Sequence, residues 1–170
     1  TSDQKMIDES RYDGWLLYDF RRSNDLACRF LQLSPQVLLT RRFFYWIPLS
    51  GQPVKLVSII EPHHLDHLPG EKRIYRSWQE LGKILHDVLE GSRRIAMEYS
   101  PMSGNPYVSK VDAGTVEMVR ACGVEIGSSG DLIQQATSVW DDHQWHLHLE
   151  AARTLDEIVA SAWRWIAEGE

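Results

Sequence analysis

The feature that most constrains this chain is a strand–helix–strand run in its second half. Arg94 to Tyr99 reads as a strand. Asp112 is placed to cap a helix running to Cys122, Gly123 stops it, and Val124 to Ile126 reads as the next strand. Two strands joined through a helix run parallel, because only a crossover connection returns the chain to the same end of a sheet. A parallel pair needs cover on both faces, so the fold must be layered α/β.

The rest of the chain fits that frame. Tyr12 to Tyr18 is short, aromatic and apolar, a first strand; Asp19 to Asn24 is a polar loop at its end, and Leu26 to Leu31 is helix-compatible. Val37 to Thr40 and Phe43 to Ile47 read as strands, and Val54 to Ile60 follows across a turn from Pro48 to Pro53, a hairpin signature. A short helix or turn spans Glu61 to Leu68, and Arg73 to Tyr75 is an edge strand. Ser77 and Glu80 form a capping box ahead of Leu81, Ile84, Leu85, Val88 and Leu89, and Gly91 ends that helix. Ser129 opens a helix with Leu132, Ile133, Ala136, Val139 and Trp140 on one face. A final helix carries Leu155, Ile158, Val159, Ala162 and Ile166 on one stripe. The expected fold is α/β, a mixed central sheet flanked by helices. The expected core includes Leu81, Ile84, Leu85, Val88, Val116, Val119, Ile133 and Val139.

Composition narrows the function classes. The 170 residues carry 18 basic and 24 acidic side chains, a net charge of -6, which argues against nucleic acid, a partner that wants clustered Lys and Arg. The longest apolar runs, such as Phe43 to Ile47, are too short to cross a bilayer, and no secretory signal is visible. Cys28 and Cys122 read as free thiols of a reducing compartment, so a cytoplasmic location is expected. No Gly-rich phosphate loop, no G-x-S-x-G elbow and no H-E-x-x-H motif occurs. Two histidine groups, His63/His64/His67 and His143/His146/His148, read as solvated helix positions in preference to metal ligands. Glu98 stands out as a carboxylate inside an apolar strand, which implies a strand-end position, a function or, more commonly, pairing with Arg.

The stretch Tyr12-Asp13-Gly14-Trp15-Leu16-Leu17-Tyr18-Asp19-Phe20-Arg21-Arg22-Ser23-Asn24 resembles the opening of the N-terminal domain of creatinase/prolidase-type, pita-bread metallopeptidases, which include Xaa-Pro aminopeptidase and Xaa-Pro dipeptidase. So do Thr40 to Pro48, the Gly51-Gln52-Pro53 turn, Ala96 to Pro101, Pro106 to Ser109 with Val111 to Thr115, and Val124 to Ile126 with Ser128-Ser129 and Asp131-Leu132. The resemblance implies a ribonuclease H-like domain over residues 1–150, and a helix over 151–170 that would begin a separate catalytic domain. It implies no catalytic residue, metal or cofactor in this chain. Two divalent metals, manganese or cobalt, would sit in that other domain, on two Asp, one His and two Glu.

The partners it implies are the chain's own catalytic domain, a second copy in a homodimer, and a peptide substrate with proline second. The residues it points to as substrate- or interface-facing are Asp19, Arg21, Arg22, Asn24, Arg41, Arg42, Tyr45 and Trp46. Arg offers a bidentate fork to a carboxylate, and Trp and Tyr offer walls to a proline ring. Arg22 departs from the family pattern, which has a small residue, often Gly, there. The alternative is a partner-binding module from a pita-bread protein that has lost its metals, for which the acidic balance suggests a basic partner.

Overall fold

The computed structural model describes residues 2–169. They divide into two compact units, Thr1–Ala136 and Thr137–Glu170. The first unit is built on a six-stranded sheet. Its strands are β1 (Gly14–Asp19), β2 (Phe43–Pro48), β3 (Val54–Ser58), β4 (Glu71–Tyr75), β5 (Arg94–Met97) and β6 (Glu125–Ser128), in the order β4-β3-β2-β1-β5-β6. The β1, β2 and β3 strands pair antiparallel; β3 with β4, β1 with β5 and β5 with β6 pair parallel. The sheet is therefore mixed, and the β5–β6 pair expected from the crossover is parallel.

Alternation along β1 explains the layering. Trp15 and Leu17 enter one cluster while Leu16 and Tyr18 enter another, and all four are buried. A strand buried on both faces needs helices on both. One face is covered by Ile7 of α1 (Ser2–Ser10), Ala27 of α2 (Asp25–Phe30) and Leu132 of α5 (Gly130–Ser138). The other is covered by Leu81, Leu85 and Leu89 of α3 (Trp78–Leu89) and by Val116 and Val119 of α4 (Ala113–Arg120). Three of these helices start where a polar side chain satisfies a free amide: Asn24 accepts from Ala27 N, Ser77 from Glu80 N and Asp112 from Thr115 N.

Several expectations need correction. Val37 to Thr40 is an irregular segment, held at Thr40 N by the Glu61 carboxylate instead of by a neighbouring strand. Of the two forms open for Glu61 to Leu68, helix or turn, the turn is found. The helix α1 has no counterpart in the sequence reading; its stretch is mostly polar, so little apolar periodicity marks it. Val139 is 70% exposed, because α5 ends at Ser138 and leaves it outside the packed face. Ile84 and Val88 are only partly buried. Cys28 and Cys122 are free, as expected.

The second unit is one long helix, α6 (Asp142–Gly169), with no buried residue. At its start Asp141 and Gln144 cap each other: Gln144 N donates to Asp141 Oδ1 at 2.7 Å, and Asp141 N to Gln144 Oε1 at 2.9 Å. No described helix is long and apolar enough to cross a membrane.

Candidate functional site

The register fixes which loops meet. Asp19 pairs with Phe43, and Met97 and Ser128 are partners at the matching ends of β5 and β6. The loop after β1, the segment before β2, the turn after β3, the end of β4 and the loop after β5 therefore share one end of the sheet. Ligand sites of α/β sheets collect at the C-terminal ends of parallel strands.

A cleft of about 770 Å³ opens there, lined by Tyr18, Phe20, Thr40 to Arg42, Tyr75, Asp112, Gly114 and Thr115. Its floor is pre-set. Tyr18 donates to Asp112 Oδ2 at 3.0 Å, Thr115 Oγ1 donates to the same oxygen at 2.7 Å, and Thr115 N donates to Oδ1 at 2.9 Å. Burial alone would raise the Asp112 carboxyl, but the bonds from Thr115 and Tyr18 outweigh it and hold it below the usual range. Burial, with Asp112 beside it, pushes the Tyr18 phenol up to about 12. Tyr75 donates to the Arg42 carbonyl at 2.6 Å and so positions the arginine backbone at the cleft edge.

Behind the loop lies a buried polar hub. Glu98 is fully buried directly after β5 and accepts three bonds from three elements: Trp15 Nε1 at 2.7 Å, Asn24 Nδ2 at 2.7 Å and Ser129 Oγ at 2.9 Å. Burial raises its carboxyl above the ordinary value despite the three donors, and among the described residues no cation is paired with it. Asn24 is engaged at both ends, since Nδ2 also donates to the Tyr18 carbonyl at 2.8 Å and Oδ1 accepts Ala27 N at 3.0 Å. Asp19, also fully buried, accepts Asn24 N and Arg22 N, both at 2.9 Å. The hub locks the β1 loop to β5 and to the start of α5. Of the readings open for Glu98, the strand-end position holds, and the expected arginine partner is replaced by three neutral donors.

The residues singled out from the sequence thus fall into four groups. Arg41 and Arg42 line the cleft. Asp19 and Asn24 are buried and shape the loop. Tyr45 and Trp46 lie in the core, only 3% and 4% exposed: Tyr45 donates to the Pro69 carbonyl, and Trp46 fills the space over Gly14, where an added Cβ would sit 2.1 Å from its ring. Their place in an alternating strand, not a pocket, accounts for the aromatic run.

Arg21 and Arg22 border a neighbouring hollow with residues 35–40. Both are left-handed, with φ of 57° and 61°, the region that favours Gly. Arg22 occupies it because its amide binds Asp19 and its guanidinium donates to the carbonyls of Ser34 and Val37. That explains how a bulky cation stands where a small residue is expected.

The histidines hold local partners. His63 lies 2.8 Å from Asp66, His64 3.2 Å from Glu61, and His67 2.8 Å from the Leu31 carbonyl. Hydrogen bonds from Lys72 and then His63 bring Asp66 down to about 2. In α6, His146 lies 2.6 Å from the Asp142 carbonyl, and the His148 ring packs on Trp140 and Trp145 with centroids 4.6 and 5.7 Å away. Among the described residues no three His, Cys, Asp or Glu side chains converge as a metal site. Tyr18, Tyr75 and Thr115 belong to the cleft but carry no sequence signal for it, since only strand register brings them together.

The fold is that of creatinase/prolidase N-terminal domains of known structure. The prolidase of Pyrococcus horikoshii OT3 matches over 100% of this chain and 44% of its own length, with 15% identity and a TM-score of 0.58. The prolidase of Thermococcus sibiricus matches over 99% and 43%, at 14% identity and a TM-score of 0.63. The isolated creatinase/prolidase N-terminal domain of an X-Pro dipeptidase from Streptococcus pyogenes matches 78% of this chain and 95% of its own, at 11% identity and a TM-score of 0.56. The chain folds as such a domain, and it spans less than half the length of the full prolidases. No protein-family model matches the sequence, and no curated protein matches it.

Proposed function

We propose that this chain is the non-catalytic N-terminal domain of a metal-dependent Xaa-Pro peptidase. The observation that carries the reading is the shared fold with full-length prolidases and with an isolated dipeptidase N-terminal domain. In this reading the two divalent metals, manganese or cobalt, and their ligands belong to a catalytic domain outside this sequence; the residues here supply no ligand set, and no chemical step is assigned to them. The domain takes part in oligomerisation and limits access to the active site. The strand-end cleft is the part that faces substrate. Arg41 and Arg42 border it and make no ion pair among the described residues, so they are free to receive the carboxylate of a short peptide.

The test uses the longer protein that contains this chain. With manganese it should cleave Xaa-Pro peptides, and the double variant R41Q/R42Q should raise KM for substrates with a free carboxylate more than it lowers kcat. The 170-residue chain alone should show no turnover. Steady, chelator-sensitive turnover by the chain alone would refute the reading, as would an inert longer protein.

A further inference from the structure

The loops at the cleft end of the sheet differ from the rest of the first unit in what they expose. Phe20 (41%), Leu38 (76%), Ile59 (44%), Ile60 (64%), Met102 (96%) and Tyr107 (83%) all lie in segments that leave or enter strands at this end. Of the other large apolar side chains exposed in the unit, Ile74 and Trp78 flank the end of β4 at this same end, and Leu49 follows β2 at the opposite one. Single exposed hydrophobics need no explanation, but several gathered in one set of loops mark an interaction surface.

Backbone strain is gathered in the same loops. Arg21 and Arg22 are consecutive left-handed residues, and so are Met102 and Ser103, with φ of 54° and 55°. Such conformations persist only where surrounding contacts impose them. The β5 loop has those contacts: Asn105 N donates to Ser100 Oγ at 2.8 Å, and Lys110 N and Val111 N both donate to the Glu98 carbonyl. Met102 and Tyr107 are therefore presented on an anchored loop.

The charge of the surface opposes that of the whole chain. Net charge is -6, yet the acids on these loops already have partners: Asp25 binds Arg29 and Lys110, Glu61 binds Thr40, Arg41 N and His64, and Asp112 binds Tyr18 and Thr115. The guanidinium groups of Arg21, Arg41 and Arg42 have no carboxylate partner among the described residues. Exposed Arg, Met and Tyr around an apolar centre is the composition of a protein–protein interface. A second copy presenting the same face would set arginine against arginine. An anionic bilayer is a poor fit, because the arginines border a concave cleft and the rest of the chain is acidic.

We propose that this strand-end face docks an acidic protein surface, with a protruding acidic side chain entering the cleft beside Arg41 and Arg42. The proposal does not depend on the peptidase reading. The test pans a random 12-residue peptide library on phage against the intact chain. Selected peptides should be enriched in Asp and Glu around an apolar residue. Their binding should shift the amides of residues 20–22, 40–42 and 101–108, weaken with added salt, and fall at least tenfold in R41Q/R42Q and in the double variant Met102→Ser, Tyr107→Ser. All four side chains are at least partly exposed, so these variants keep the fold. Selection of basic or neutral peptides, shifts elsewhere on the domain, or no selection at all would overturn the proposal. So would binding of the chain to phosphatidylserine vesicles with the same variant dependence, or sedimentation showing self-association that R41Q/R42Q abolishes.

Discussion

The helices α3 and α6 carry the same sequence signal and meet different fates. Both space apolar residues at three and four: Leu81, Leu85 and Leu89 in one, Leu155, Ile158, Val159 and Ile166 in the other. The α3 residues are essentially inaccessible, while those of α6 remain 52–62% exposed. An apolar stripe specifies a helix, but whether the stripe is buried depends on a complementary face. For α3 that face is the sheet side carrying Leu16, Phe44 and Leu56.

The sharpest way to break this comparison is to truncate one residue in each. Leu85→Ala should cost ~2–5 kcal/mol, the range for a large-to-small change in a packed core. Ile158→Ala should cost under about 0.5 kcal/mol, as surface changes do. Urea unfolding of the two variants decides it. Equal losses would mean that the α6 stripe is covered in solution.

Burial also distinguishes the polar groups of the two units. Asn24 has both ends of its side chain bonded inside the first unit, whereas Asp141 and Gln144 cap α6 in water. Asn24→Ala removes a helix cap and leaves Glu98 and the Tyr18 carbonyl short of a donor. About 2–3 kcal/mol should be lost. Gln144→Ala should stay within about 0.5 kcal/mol.

Glu98 adds a pH signature to the same hub. Its folded value lies above the ordinary 4.5, so the folded state keeps a proton that the unfolded state has released. Stability should therefore be greatest below about pH 4.5 for this group, and decline as pH rises through the folded value. The slope is at most about 1.4 kcal/mol per pH unit. Glu98→Gln should flatten that slope above pH 4.5 in urea titrations. An unchanged slope would show that another group carries it.

These contrasts show what the sequence can and cannot reveal. The Ser77 cap, the stop at Gly91 and the β5–α4–β6 crossover are local, and the structure reproduces them, although Glu80 accepts from Arg76 N where the full capping box would use Ser77 N. The cleft is not local. Tyr18, Tyr75 and Thr115 are far apart in the chain and meet only because strands align, so no spacing announces them. Tyr45 and Trp46 look like pocket walls because aromatics serve in both roles; alternation in β2 sends them to opposite faces of the sheet. Glu98 is conspicuous as an oddity, but its three neutral donors come from residues 15, 24 and 129.

A gain within α3 sharpens the comparison from the other side. Gly82 sits in the middle of that helix, and a Cβ built there meets nothing within 4 Å. Its φ is not in the left-handed region, so alanine fits without strain. Gly82→Ala should raise stability by about 0.5–1 kcal/mol, through helix propensity and a less flexible unfolded chain. Because α3 is packed on the sheet, the gain should appear in the global unfolding of the first unit.

The smallest effect is expected in α6, where the same kind of change has no packing to report through. Thr154 is exposed in the middle of the helix, and its hydroxyl donates to the Glu150 carbonyl at 3.0 Å. That back-bond competes with the helical ladder and slightly weakens it, and a β-branched side chain loses rotamer freedom in a helix. Thr154→Ala should therefore stabilise α6 locally by about 0.5 kcal/mol. Local opening and global unfolding are separable by hydrogen exchange. Amides around residue 154 should exchange two- to threefold more slowly, while those of β1 and β5 and the thermal midpoint of the first unit stay unchanged. A shift of the β1 and β5 amides in step with those of α6 would mean that the two units unfold together, and that α6 draws its stability from packing after all.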